Sequence, residues 1–310
     1  MSTMAVVTGS NTLQMWALGL LSSVAGLAAI AYLQPRWFMS FVVRNSHPSV
    51  LWCALTSSRV CALTIDDAPS PATPQLLDIL AKHNVKATFF IISGNIPGNE
   101  EVLRRIVREG HVLGNHLTED RASILDSLHV FEQKLQECDA ALHCFNAEAQ
   151  ASDGKDKDAG TNGGGGGIDD DDDAVDAATK QLLGSVPSSS SPLLGDIPVP
   201  SPTATSSSTL GRRSMKWMRP ASGWFTSSVR EIAQRHGYRI CMGSVYPHDA
   251  QIKSEVINAC YLRNRTQCGS VIIVHDRQWT VGVLQNALPE LVRKFKFVSL
   301  EELTLHHRCT

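Results

Sequence analysis

Leu63-Thr64-Ile65-Asp66-Asp67-Ala68-Pro69-Ser70 closes an apolar run that begins at Val60 and sets two carboxylates side by side before a turn-forming proline. A short apolar run that ends in a turn signal reads as a buried strand. Its end delivers Asp66 and Asp67 to the rim of a sheet, where α/β proteins assemble their chemistry. Burying two like charges together is costly unless a cation neutralises one of them, and a metal ion is one such cation. A solvated Asp-Asp turn is the bland alternative for the pair taken alone.

The partners follow in order along the chain. Gly110-His111-Val112-Leu113-Gly114-Asn115-His116-Leu117-Thr118-Glu119-Asp120 places His116 and Asp120 four residues apart. On a turn of helix that spacing puts both side chains on one face, close enough to share an ion. Arg219-Pro220-Ala221-Ser222-Gly223 comes next, and Val271-Ile272-Ile273-Val274-His275-Asp276 is a second apolar strand ending in polar groups. In these blocks the chain resembles the polysaccharide deacetylase family, the NodB-homology domain of carbohydrate esterase family 4. The resemblance covers roughly residues 58–145 and 215–305.

Composition is consistent with such a domain. The 310 residues are 43% hydrophobic, enough for one domain with a full core, and the formal net charge of −2 gives no basic face for nucleic acid. The eight cysteines follow no zinc-ribbon spacing; Cys138/Cys144 and Cys260/Cys268 are candidate pairs in an oxidising compartment, and buried free thiols are the alternative. Residues 13–33 are uncharged, mostly apolar and long enough for an uncleaved, single-pass membrane anchor. No Lys or Arg precedes that span while Arg36 and Arg44 follow it, which favours a cytosolic domain. The family expectation is lumenal or extracellular, and the sequon Asn264-Arg265-Thr266 suits that side.

The expected organisation is therefore a tail (1–12), the anchor (13–33), a linker (34–57), the deacetylase-like domain (58–305) and a short tail (306–310). Residues 146–213 interrupt the domain with glycine, aspartate and serine runs and should be disordered. Elsewhere strand-like and helix-like segments alternate, which argues for a parallel α/β barrel. The resemblance sharpens this to a distorted, incomplete (β/α)7 barrel.

It also implies roles. Asp66 corresponds to the catalytic base, Asp67 and His116 to ligands of a divalent ion (Zn, Co or Mn), and His275 to the catalytic acid. Asp120 stands where the family has a second His, which moves preference toward harder ions; Glu119 is a substitute if the turn is not helical, and pairing of Asp120 with Arg121 is the non-metal alternative. Arg219 corresponds to the tether of the base, Ser222 to an oxyanion N–H donor, Ile273 to the acetyl-methyl pocket and Asp249 to the residue orienting His275. Asp276 should point the other way along its strand. Ala250 replaces a groove tryptophan. His111, His306 and His307 read as structural or tail residues. The implied activity is metal-dependent removal of N-acetyl groups from N-acetylhexosamine units of a chitin-like glycan. A degenerate glycan-binding module and a hydrolase of small non-sugar amides are the rivals.

Overall fold

The computed structural model describes residues 7–158 and 215–307, without the side chains of 1–13, 31 and 148–158. Two compact units divide the chain: residues 1–153 with 214–310, and 154–213. Of the second unit only the helical stretch 154–158 is described.

The strand read from the Asp pair is the centre of the first unit. It runs as β2 (Val60–Ala68) and is buried along its whole length. On one side it pairs with β3 (Ala87–Ile91) and on the other with β7 (Val271–His275), both parallel. The remaining strands are β1 (Val50–Leu51), β4 (Val112–Asn115), β5 (Lys216–Met218), β6 (Tyr238–Cys241) and β8 (Lys296–Phe297). The order is β1-β6-β5-β4-β3-β2-β7, with β8 paired to the start of β2. The sheet curls until its far edge meets β7 through isolated bridges, Cys53 with Ser270 and Val245 with Ile272. It is a parallel barrel closed by bridges rather than by a full ladder, as the incomplete-barrel expectation requires.

Parallel strands covered on both faces need near-continuous apolar runs, which β2, β3 and β7 supply. Helices α3 (Thr73–Lys82), α4 (Glu100–Arg108) and α8 (Gln278–Lys294) contribute Leu76, Leu77, Leu80, Leu103, Ile106, Leu284 and Leu288 to the larger core. A second cluster gathers Phe90, Trp217, Cys241 and Val271. α6 (Ser227–Arg235) and α7 (Glu255–Arg265) each begin with a side-chain cap, Thr226 accepting from Val229 N–H and Ser254 from Ile257 N–H. A last short helix, α9, covers Leu300–Leu305.

Three expectations change. Residues 34–57 are not a linker: they form α2 (Arg36–Asn45) and β1, which pairs with β6 because Val50 and Leu51 are apolar and reach that edge. The helix that follows β4, α5 (Leu128–Asp158), runs past 146, the expected start of the insert; residues 159–213 lie outside the described residues. The stretch expected as an anchor lies in α1 (Val7–Leu33), but among the described residues no helix is long and apolar enough to cross a membrane. Serines and glycines interrupt it, with the Ser22 and Ser23 hydroxyls turned back to donate to Leu18 O and Gly19 O at 2.8 Å. Its end is fastened to the barrel: Tyr261 donates its hydroxyl to Tyr32 O at 2.7 Å, and Tyr32 stacks on His248 with centroids 4.8 Å apart. All seven described cysteines are free thiols, so neither candidate disulfide is formed.

Gly114 on β4 has a steric reason to be glycine. A Cβ there would lie 2.6 Å from the Phe90 ring, which is packed 4.3 Å beneath the Arg219 guanidinium. Gly114→Ala is therefore expected to destabilise the fold by about 1–3 kcal/mol through overpacking, measured as a lower urea midpoint. An unchanged midpoint would show that the ring has room to give.

Candidate active site

Successive side chains on a regular strand point to opposite faces. Asp66 and Asp67 escape this because the β2–β3 register shifts between Ile65 and Ala68, and Asp67 adopts φ 64°. A bulge of this kind re-aims a side chain. Both carboxylates consequently reach the same strand-end mouth, each 4% exposed. The turn closes with a cis Ala68–Pro69 bond.

Arg219 neutralises Asp66. It follows β5, whose register puts Met218 opposite Asn115, so Arg219 and His116 emerge from neighbouring strand ends. Its Nη1 donates to Asp66 Oδ1 at 2.5 Å and to Thr64 Oγ1 at 2.9 Å, while Nε donates to Cys241 O at 2.8 Å. Arg219 is 3% exposed, its guanidinium stacked over the Phe90 ring. A single Asp66 oxygen is thereby occupied, and the carboxylate is locked in orientation.

Asp67 is neutralised by two groups. His116 Nδ1 donates to Arg219 O at 2.7 Å, which turns its Nε2 toward Asp67 Oδ1 at 3.3 Å. Arg277 Nη2 donates to Asp67 Oδ2 at 2.7 Å. Burial works against the charge of Asp67, but His116, His275 and Arg277 together hold its carboxyl down at about 2. Burial likewise opposes a charged His116, and its hydrogen bond to Asp67 with the charges of Asp66 and Asp67 raises its pKa nonetheless.

The turn after His116 is not helical. Leu117 has φ 67°, its N–H donates to Asn115 Oδ1, and Ser93 and Gly94 donate to the carbonyls of Leu117 and Thr118. Helical spacing therefore does not bring Asp120 beside His116. The Asp120 side chain is 63% exposed and meets Arg277 Nη2 at 3.9 Å. Glu119 pairs with Lys134 at 2.7 Å and Arg121 with Asp126 at 3.8 Å, so neither alternative for this turn holds. Among the described residues no three His, Cys, Asp or Glu side chains converge as a metal site. The fit to a divalent ion is in kind: a carboxylate oxygen faces an imidazole nitrogen whose other nitrogen is already fixed by a carbonyl, the arrangement of metal-ligating histidines. Asp67 and His116 supply two donors, and the third is not brought to them.

His275 stands beside Asp66 at the strand-end mouth. The two residues are register partners on β2 and β7, and Asp276 N–H donates to Asp66 O at 2.8 Å. Asp249, fully buried, grips His275 twice: Oδ2 accepts its backbone N–H at 2.7 Å and Oδ1 its ring Nδ1 at 2.9 Å. Nε2 is left for the site. Asp276 points away, accepting from the hydroxyls of Ser70 and Thr73. Ile273 is half-buried on the face of His275, two residues earlier on β7. Ser222 is exposed on the turn after Arg219 with φ 62° and ψ 0°. His111 is structural: its Nδ1 accepts from Ala87 N–H at 3.1 Å. His307 Nδ1 accepts from Leu55 N–H at 3.1 Å.

Three contributors escaped sequence reasoning. Arg277 sits immediately after His275-Asp276, where a cation beside the second strand end was the available signal. Trp279 donates Nε1–H to Asp249 O at 2.9 Å, so a tryptophan borders Asp249 although position 250 is Ala. Thr64 links Arg219 to β7 by donating to Ile272 O at 2.7 Å, a contact invisible before the strand pairing is known.

Burial alone would lower the His275 pKa; the Asp249 bond and charge, with Asp66 and Asp67, raise it to about 8. The stability this contributes is fully present below about 6.5, the ordinary histidine value, and is lost as pH rises through about 8. Asp249→Asn removes the main opposing charge. The His275 imidazole is then expected to titrate at least one pH unit lower by NMR, and the stability loss between those pH values to disappear. An unmoved midpoint would contradict Asp249 as its cause.

With this geometry in hand, residues 55–142 match the family model of Polysaccharide deacetylase. A chitooligosaccharide deacetylase of Rhizobium leguminosarum bv. trifolii is 39% identical over 82 residues, 26% of this chain and 38% of that protein. A peptidoglycan-N-acetylglucosamine deacetylase of Bacillus cereus is 38% identical over 68 residues, 22% of this chain and 32% of that protein. The matched stretch thus spans about a third of these curated relatives. Among solved structures, a peptidoglycan N-acetylglucosamine deacetylase bound to 4-naphthalen-1-yl-N-oxidanyl-benzamide superposes with TM-score 0.57 at 21% identity, over 84% of this chain and 95% of that one. A CE4 family pseudoenzyme from Bacillus anthracis gives TM-score 0.57 at 19% identity, over 86% and 73%. The strand-end Asp pair lies within the stretch that matches the polysaccharide deacetylase family model, and the barrel has the fold of these solved NodB-type structures.

Proposed function

We propose that the chain hydrolyses the N-acetyl group of N-acetylhexosamine units in a chitin-like or related glycan, releasing acetate. One observation carries the reading: Asp66, fixed by Arg219, stands in register beside His275, fixed by Asp249, on adjacent strand ends. A base on one side of an amide and an acid on the other is what its hydrolysis needs. The relatives include a chitooligosaccharide deacetylase and a peptidoglycan-N-acetylglucosamine deacetylase, which supports the sugar unit.

In this mechanism the Asp66 oxygen not held by Arg219 takes the proton of the attacking water. His275 Nε2 then delivers a proton to the leaving amine, and Asp249 stabilises the imidazolium before transfer. With a pKa of about 8, His275 is mostly protonated at neutral pH, as an acid should be. The Ser222 N–H is assigned to the oxyanion and Ile273 to the acetyl methyl. A divalent ion held by Asp67 and His116, with Asp120 as third donor, would polarise the acetyl carbonyl and acidify the water.

A second reading has its own support. Arg277 stands on Asp67 and Asp120 lies apart from His116, a pattern that suits a glycan-binding module without turnover. One structural relative is a CE4 family pseudoenzyme. Acetate release from N-acetylglucosamine oligomers separates the two. The full chain is stripped of metal and resupplied with Mn, Co or Zn. Metal-restored release that falls at least about a hundredfold in Asp66→Asn is the expected result. A folded protein that binds the oligomers and releases nothing with any ion would establish the binding module instead.

A further inference from the structure

Arg277 is the cation that the reading of the Asp pair did not foresee. It follows β7 in extended conformation at φ −137° and begins α8 as its cap residue. Its guanidinium turns back over the mouth, donating Nη1–H to Asp276 O at 3.2 Å and Nη2–H to Asp67 Oδ2 at 2.7 Å. The same Nη2 lies 3.9 Å from Asp120 Oδ2. One nitrogen thus lies between the two carboxylates assigned above to the ion, on the Asp67 oxygen that His116 does not use. Asp67 Oδ1 is turned to His116 Nε2 and Oδ2 to Arg277 Nη2, so both oxygens already have a partner. The Arg277 side chain is 32% exposed, unlike Arg219 at 4%, so it has a solvated place to go when released.

We propose that Arg277 is an intramolecular competitor of the divalent ion. It neutralises Asp67 and draws Asp120 outward in the ion-free protein, and it leaves Asp67 when the ion binds to Asp67 and His116. Loading is then an exchange of one cation for another. A charge-assisted hydrogen bond has to be given up, which weakens ion affinity by about ten- to hundredfold. Release also frees Asp120 to turn inward as the third donor. The inference rests on the reading that Asp67 and His116 take an ion, but its test does not depend on turnover.

The test is isothermal titration of the full chain with ZnCl2 and MnCl2, comparing wild type with Arg277→Gln, Arg277→Lys and Asp67→Asn/Arg277→Gln. Arg277→Gln is expected to bind about ten- to hundredfold tighter than wild type, Arg277→Lys in between, and the double variant not at all. Equal or weaker binding by Arg277→Gln, or no binding by any form, overturns the proposal. Should Arg277→Gln fail to fold, wild type alone decides. Added Zn should shift the Arg277 Nε–Hε NMR resonance to that of a free side chain, and an unmoved resonance contradicts the exchange. Tighter binding without acetate release would sink the deacetylase reading and leave the competition standing.

Discussion

The structure turns on the cost of holding two ionised carboxylates side by side in a buried strand end. Asp66 and Asp67 are each 4% exposed, and neither is tolerable without its own positive partner. The surrounding strands end in those partners. β5 ends at Arg219 for Asp66, β4 at His116 for Asp67, and β7 runs on to Arg277 for the other Asp67 oxygen. The bulge at Asp67 makes this necessary, because it turns a residue that would face away into the same mouth. Parallel strand order then makes it possible, since every C-terminal end opens on one side.

Much of this was readable in the amino-acid order, and the reason is strand geometry. Apolar runs that end in Asp-Asp, His, Arg and His must all terminate on one face of a parallel sheet. Asp66, Asp67, His116, Arg219 and His275 accordingly come together, and Asp249 reaches His275 from the β6–α7 connection. Asp276 alternates away as a strand residue should. Their chemical roles rest on function rather than on placement. What was not readable depended on backbone choices no spacing encodes. The left-handed Leu117, fixed by Asn115, breaks the helical turn assumed for His116 and Asp120. Arg277 and Trp279 lie just beyond a strand, where a turn rather than a pattern decides which way they reach. The apolar stretch before residue 34 was read from its hydropathy, length and flanking charge, none of which registers that Tyr32 is fastened to His248 and Tyr261 by ring and hydroxyl contacts.

The two histidines show how one surrounding can tune two similar groups differently. His116 gives Nδ1 to a carbonyl and aims Nε2 at Asp67, an orientation suited to sharing a cation. His275 gives Nδ1 to a carboxylate, which keeps its ring protonated near neutrality and its Nε2 free. The same logic separates the two arginines. Arg219 is buried, stacked on Phe90 and fixed by several acceptors, so it is part of the frame. Arg277 is partly solvated and has one short carboxylate contact, so it is the cation able to move.

The dependence of the fold on paired buried charge is tested most directly by a double-mutant cycle on Asp66 and Arg219, read by urea denaturation at pH 7. Arg219→Met alone should cost about 3–5 kcal/mol, because it leaves Asp66 buried and uncompensated. Adding Asp66→Asn should recover at least half of that loss. Costs that simply add, with no recovery, would mean that Arg219 acts through packing on Phe90 and not as the counter-charge on which the strand end depends.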